Sequence, residues 1–307
     1  MDHTTVERHR HLEPPQVAEI ARLVERVAGP GPRPLADHKW LQLGAGGGEG
    51  FVALVARDGR GGLVGYGQLS AGNASWGLEV LAEPSLPDHG SAVKADLVAE
   101  ACRQVAAQGG GRLFYWVGSP TPADDARARA QGFDTGRDLL QMRVPLPLDE
   151  AVVAATPVVE VRAFRPGEDE AAWLAVNNRA FAGHPEQGGW GLDDLVVRER
   201  ADWFEPAGFL LHEEDGQLAG SCWTKIHATV TPVLGEIYVI SVDPAFHQRG
   251  LGRALAVAGF SWLAGRGITV GMLYVDADNR AAMALYEGLG MTVHHRDRAY
   301  QADIPAG

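Results

Sequence analysis

The sequence predicts an α/β (α+β) fold built from two tandem domains, each a mixed, mostly antiparallel sheet flanked by helices. Three observations predict it. At 307 residues the chain is long for one compact core. A stretch with three prolines, PLPLDEAVVAATP, stands almost at its midpoint. The same order of patterns runs on either side of that stretch: a helical opening, an apolar strand with a glycine turn, further strands, a helix, a strand, and a short helix closed by Gly-Phe or Gly-Met. The expected division is a first domain over 1–145, a linker over 146–157 and a second domain over 158–307.

Taken in order, GFVALVARDGRGGLVGYGQLS (50–70) reads as two strands around a glycine-rich turn. AVKADLVAEACRQVAAQG (92–109) has the spacing of an amphipathic helix with a glycine stop. RLFYWVG is a strand, and DDARARAQGF a short helix. In the second half, GFLLHEEDGQLAGSCWTKIHA (208–228) is a hairpin across Asp215-Gly216, and GEIYVISV is a strand. RGLGRALAVAGFSWLAGRG is a helix opened by glycines, VGMLYVDA a strand, and NRAAMALYEGLGM a helix closed by glycine.

Composition narrows the partners. A formal charge of -12 argues against nucleic acid, because phosphate-backbone binding relies on clustered Lys and Arg. No apolar run reaches the roughly 18 residues of a membrane-spanning helix, and MDHTTVERHRHLEPP has no apolar core of a signal peptide. A cytoplasmic protein that does not engage membranes is expected. Cys102 and Cys222 fall in different halves without metal spacing, so both read as small core residues. Adjacent strand residues such as His294 and His295 point to opposite faces, and no metal is expected.

The most specific local pattern is VDPAFHQRGLGRAL (242–255). A strand ends at Val242, Asp243-Pro244 turns the chain, and Gly250 and Gly252 open a helix. The N–H groups at a helix start suit an anion such as a pyrophosphate, and glycines let it approach. The same pattern also describes a plain tight turn from strand to helix. It is not a P-loop, lacking the Gly-Lys-Ser/Thr ending.

With YVDADNRAAMALYEGLGM (274–291) following about 25 residues later, the pair of segments resembles the GNAT superfamily of N-acetyltransferases. There the first segment is the pyrophosphate loop and the second the Asn-helix-Tyr region beside the CoA thiol; His247 here replaces a usual Gln or Arg. FAGHPEQGGW (181–190), CWTKIH (222–227), LGEIYVISVDP (234–244) and LYVDADN (273–279) narrow the resemblance to the mycothiol synthase family, two-domain GNAT enzymes. That resemblance spans the whole chain, and its motifs are specific in the second half. It implies acetyl-CoA as cosubstrate and the cysteinyl amine of a cysteine–glucosamine–inositol conjugate as acceptor. It implies acceptor contacts at Glu186, Lys225, Glu236 and Tyr274, with Asp37 at the family's contact in the first domain. Acetyl-CoA would be held by Ile240, Ser241 and Val242, by His247, Gln248, Arg249, Gly250, Leu251, Gly252 and Arg253, and by Asn279, Arg280, Ala281, Ala282, Met283 and Ala284. A second acetyl-CoA would meet Val80, Leu81 and Ala82. In the first domain the loop departs from the pattern, with Asp88 and His89 where basic residues are common and Ala92 at the second glycine, so that domain is expected to be a structural partner.

An attacking amine must lose a proton and a departing thiolate must gain one. The base matching the family position is Glu236, at the start of an apolar strand where burial disfavours its charge. A backbone N–H near Ile240 is the expected oxyanion donor. Tyr286, two helical turns beyond Asn279, is the expected acid. A glutamate at a strand edge and a tyrosine packed in a helix are the blander readings, and only the family positions favour catalysis. The alternatives are a GNAT enzyme for another small amine or a protein N-terminus, and a CoA-sensing module without turnover. A covalent tandem makes a monomer the expected state.

Overall fold

A computed structural model describes residues 4–28, 34–72, 75–86, 89–183 and 189–307. Asp88, His184 and Glu186 lie outside the described residues. The chain divides into two compact units, Met1–Asp138 with Arg296–Gly307, and Leu139–His295. The first unit is therefore made from two separate stretches of sequence.

Unit 1 contains β1 (Thr5–His9), α1 (Pro14–Ala28), α2 (Asp37–Gly44), β2 (Phe51–Arg57), β3 (Leu63–Ala71), β4 (Ser75–Ala82), α3 (His89–Ala107), β5 (Gly111–Gly118) and α4 (Pro122–Ala130). β6 (Asp134–Pro145) runs from unit 1 into unit 2 along the chain. Unit 2 continues with α5 (Glu150–Ala154), β7 (Arg162–Ala163), α6 (Glu170–Ala180), α7 (Leu192–Glu199), β8 (Phe209–Glu214), β9 (Gln217–His227), β10 (Leu234–Val242), α8 (Leu251–Gly265), β11 (Val270–Asp276) and α9 (Arg280–Glu287). β12 (Thr292–Ile304) closes the chain.

The two units repeat one topology. In unit 1 the order is β1-β2-β3-β4-β5-β12, antiparallel except for the parallel β4–β5 pair. In unit 2 the order is β7-β8-β9-β10-β11-β6, antiparallel except for the parallel β10–β11 pair. A parallel pair needs a crossover, and α3 and α8 supply it. Unit 1 is completed by Asp297–Ile304 of β12 against β5, and unit 2 by Leu139–Pro145 of β6 against β11.

Local chemistry sets the boundaries. Asp215 and Gly216, at φ 51° and 74°, make the left-handed two-residue turn that joins β8 to β9. Thr121 and Asp124 exchange the two hydrogen bonds of a capping box at the start of α4. Asn279 accepts the Ala282 N–H and caps α9. The predicted linker carries α5, capped by Asp149, while Leu146 and Leu148 are buried in the core of unit 2.

Each sheet is apolar on both faces, as a sheet covered twice must be. In unit 2 one face packs Cys222, Ile237, Leu273 and Val275 under Leu255, Phe260 and Leu263 of α8. The other face packs Phe209, Trp223 and Val239 with Trp173 of α6 and Leu195 of α7. Phe164, Phe209 and Trp223 stack in sequence with centroid spacings of 4.3 Å. α8 lies close to the sheet because Gly259 faces it: a Cβ there would stand 2.4 Å from Cys222 Sγ. Alanine favours a helix over glycine by roughly 0.5–1 kcal/mol. Gly259→Ala is nonetheless expected to destabilise the protein by about 1–3 kcal/mol in urea unfolding, through overpacking. Cys222→Ala added to it should restore part of the loss. Wild-type stability in Gly259→Ala would contradict this account of how α8 docks.

Candidate active site

The site begins with an interruption of the sheet. β10 pairs with β11 only through Gly235–Gly271, Glu236–Met272 and Ile237–Leu273. Beyond Ile237 the ladder ends, although β10 continues to Val242 and β11 to Asp276. On its other side β10 stays paired with β9 to Val242, but the register slips between Ile237 and Val239. Tyr238 is therefore the extra residue of a β-bulge, which bends β10 and redirects its last residues. Ile237 packs on the α8 face, Tyr238 and Val239 on the α6/α7 face, and Ile240 and Val242 on the α8 face again. Backbone groups at 238–242 thus line a gap.

Side chains around the gap separate by face. Lys225 stands opposite Glu236 in the β9–β10 register, and Met272 stands beside Glu236 on β11. Strand alternation puts Lys225, Glu236 and Tyr274 on the α6/α7 face. Lys225 and Glu236 are both buried, and Tyr274 is 36% exposed. Lys225 Nζ lies over the rings of Trp203 (4.4 Å) and Tyr238 (5.2 Å). His227 Nε2 lies 2.7 Å from Glu236 Oε2. Tyr274 Oη accepts a 2.8 Å hydrogen bond from Gln141, whose Oε1 accepts one from Arg143. Arg198 closes this face, donating to Tyr238 Oη at 3.0 Å and stacking 3.9 Å over Trp190.

Tyr286 belongs to the other face, buried in the α8 core. Burial, with nearby Cys222 adding to it, pushes its phenol well above the ordinary tyrosine range. It therefore stays protonated at neutral pH, the form an acid needs. Cys222 is the β9 partner of Ile240, which places Tyr286 over the stretch of β10 beyond the bulge. Glu236 and Tyr286 face opposite sides of the sheet, and a ligand threaded between β10 and β11 is what would meet both.

The loop after β10 has the geometry of an anion cradle. Asp243 is buried, accepts the Ala245 N–H and pairs with Arg179 at 2.5 Å. Burial alone would raise its carboxyl; the N–H and the guanidinium outweigh that and hold it below the usual range. Gln248 (φ 64°) and Gly250 (φ 76°) are left-handed, so successive N–H groups turn toward one side before α8 begins at Leu251. The first N–H groups of α8 add to them. Gly250 is needed for its conformation, whereas a Cβ at Gly252 would meet nothing closer than Leu285 at 3.5 Å. Three side chains of the loop are engaged elsewhere: His247 Nε2 lies 3.1 Å from the Val242 carbonyl, Arg249 pairs with Glu214, and Arg253 donates to Thr156 and the Gly288 carbonyl. The loop presents backbone to an anion.

Asn279, Arg280, Ala281, Ala282, Met283 and Ala284 form the cap and first turns of α9. In unit 1, Val80, Leu81 and Ala82 are the part of β4 beyond its ladder with β5, which ends at Glu79–Trp116. Asp37 opens α2, also in unit 1. A cavity of about 200 Å³ in that unit is lined by Ser91, Lys94, Tyr115, Asp124 and Arg127 among others, and holds none of the residues assigned chemistry in unit 2. Among the described residues, no group of three or more His, Cys, Asp or Glu side chains could hold a metal ion. His227, Trp203, Tyr238 and Arg198 are site residues that the sequence alone does not single out. The two-residue spacing of Trp223, Lys225 and His227 is the signal that they share a face.

Residues 172–291 match the family described as Acetyltransferase (GNAT) family. A protein of Acidimicrobium ferrooxidans named mycothiol acetyltransferase is 40% identical over 307 residues, covering 99% of this chain and 98% of the other. The protein of that name from Streptomyces coelicolor is 40% identical, covering 97% and 96%. Among solved structures, a GCN5-related N-acetyltransferase from Sphaerobacter thermophilus superposes with a TM-score of 0.68 at 22% identity, covering 98% and 96%. A tandem GNAT protein from the clavulanic acid biosynthesis pathway gives 0.68 at 17% identity, covering 99% and 100%. At those identities the structures speak for the fold.

The freedom at Gly252 yields a test of the loop. Since packing does not require glycine there, Gly252→Ala should leave thermal stability unchanged or raise it by roughly 0.5–1 kcal/mol. Acetyl-CoA titration should nevertheless show affinity weakened several-fold, because a Cβ there, 3.5 Å from Leu285 and 3.9 Å from Val242, narrows the space between α8 and α9 beside the first N–H groups of α8. Unaltered affinity would remove the loop from the binding site.

Proposed function

This chain belongs to the mycothiol acetyltransferase family, and from that premise we propose that it transfers the acetyl group of acetyl-CoA to the cysteinyl amine of desacetylmycothiol, the cysteine–glucosamine–inositol conjugate, releasing mycothiol and CoA. Turnover is assigned to unit 2, and unit 1 is a structural partner. The observation that carries the assignment is the end of the β10–β11 ladder at Ile237, with a buried carboxylate beside it and a left-handed glycine loop beyond it.

Glu236 takes the proton of the substrate ammonium, freeing the nitrogen lone pair to attack the thioester carbonyl. The backbone N–H near Ile240 donates to the oxygen on which charge accumulates. A C–N bond forms, the C–S bond breaks, Tyr286 gives its proton to the departing sulfur, and the second proton that the nitrogen loses as the amide forms replaces the one Tyr286 gave up. Residues 247–253 hold the pyrophosphate through N–H groups, and α9 from Asn279 to Ala284 flanks the same ligand. Lys225, Glu186 and Tyr274 contact the polyhydroxylated acceptor, and Asp37 is proposed as a further contact. The Tyr274 oxygen accepts a hydrogen bond from Gln141, which fixes where that phenol stands on the face. In unit 1, Val80, Leu81 and Ala82 are assigned to a second, non-productive acetyl-CoA.

A monomer in the cytoplasm is the proposed state. Both units lie in one chain, the two cysteines are unbridged, and no helix among the described residues is long and apolar enough to cross a membrane.

Steady-state kinetics test the assignment. Glu236→Gln should lower kcat by about 10²- to 10⁴-fold across the pH profile. Tyr286→Phe should lower kcat with the profile in place, since burial keeps its titration above the working range. Lys225→Ala should raise the acceptor KM far more than that of acetyl-CoA. Near wild-type kcat in Glu236→Gln would remove it as base, and an unmoved acceptor KM in Lys225→Ala would point to a different amine.

A further inference from the structure

We infer that His227 is a positioning residue for the proton transfer: it holds the carboxylate of Glu236 so that one oxygen is fixed and the other is left for the substrate ammonium. The inference rests on the reading of Glu236 as base. Three features of the structure carry it.

The first is register. In an antiparallel pair, Glu236 faces Lys225 directly, and His227 is the diagonal neighbour two residues further along β9 on the same face. That puts both a lysine and an imidazole within reach of one buried carboxylate. The second is the contact itself. His227 Nε2 is 2.7 Å from Glu236 Oε2, the short distance of a hydrogen bond to a charged acceptor. With Nε2–H donating, Oε2 is occupied and Oε1 is the oxygen available to take a proton. The third is burial. The Glu236 side chain is 9% exposed and that of His227 is 25% exposed, so the imidazole bridges the carboxylate and the outside. Lys225, meanwhile, has its ammonium over the rings of Trp203 and Tyr238. A flexible glutamate next to a lysine can swing into an ion pair, which weakens it as a base. The imidazole prevents this by fixing the carboxylate rotamer on the other side. Loss of that restraint misplaces the accepting oxygen, and misplacement on the scale of about 1 Å costs about 10²-fold in rate.

A double-mutant cycle tests the inference with the full chain, acetyl-CoA and the cysteinyl-sugar acceptor. His227→Ala should lower kcat by about 10- to 100-fold and leave the acetyl-CoA KM within about twofold. His227→Gln, which keeps an N–H at similar reach, should recover most of the loss. Glu236→Gln with His227→Ala should be no slower than Glu236→Gln alone, because a residue acting through Glu236 has nothing left to act on. Three results would each overturn the proposal: wild-type kcat in His227→Ala, equal losses in His227→Ala and His227→Gln, or losses that multiply in the double variant. If instead Glu236→Gln itself stays fast, the base assignment fails, and that outcome is distinct from a slow Glu236→Gln beside an unaffected His227→Ala.

Discussion

Backbone N–H and C=O groups in the middle of a sheet are expensive to leave without partners. Beyond Ile237, β10 and β11 part from each other while both strands run on. The bulge at Tyr238 is the local cause, since it adds one residue to β10 against an uninterrupted β9 and tilts the strand away from β11. Everything proposed for the site depends on that parting. An amide-bearing chain such as the pantetheine arm of CoA has the donors and acceptors to complete the interrupted ladder, and in the proposed site the sheet itself would be the recognition element. The bulge also resets side-chain parity, which keeps Ile240 and Val242 in the α8 core while Glu236 and Tyr238 face α7.

The face that carries Glu236 is built to tolerate charge where there is little water. Lys225 and Arg198 are both buried, and each has aromatic rings against its cation: Trp203 and Tyr238 for the lysine, Trp190 for the arginine. Buried charges persist only when such partners are present. Unit 1 solves the same problem differently. Its buried Lys39 donates to the carbonyls of Gln68 and Gly77 and to Ser70 Oγ, and its Glu79 accepts the Ala36 N–H. These charged groups are tied mainly to the backbone of their own unit.

The sequence is readable wherever the signal is local. Strand and helix periodicity locates the β8–β9 hairpin, β10, α8, β11 and α9, and the glycines at 250 and 252 mark the loop, because turns and caps are set by a few adjacent residues. Pairing is different: a strand's own pattern says which face is apolar and not which strand lies beside it. Nothing in TVHHRDRAYQADI announces that Asp297–Ile304 pairs with β5. For the same reason His227 is invisible in the sequence as a partner of Glu236, since the six-residue connection between β9 and β10 hides their register. Arg253 illustrates the converse. Its position in the loop is legible, but its guanidinium is directed to Thr156 and Gly288 by tertiary packing.

The central claim is that the gap between β10 and β11 holds the acyl donor. A crystal structure of the protein with CoA tests it most directly. The account predicts the pantetheine arm alongside residues 238–242, its pyrophosphate on the N–H groups of 247–253 and its thiol toward Tyr286. CoA held in unit 1 alone, with the β10–β11 gap filled by water or closed, would contradict it.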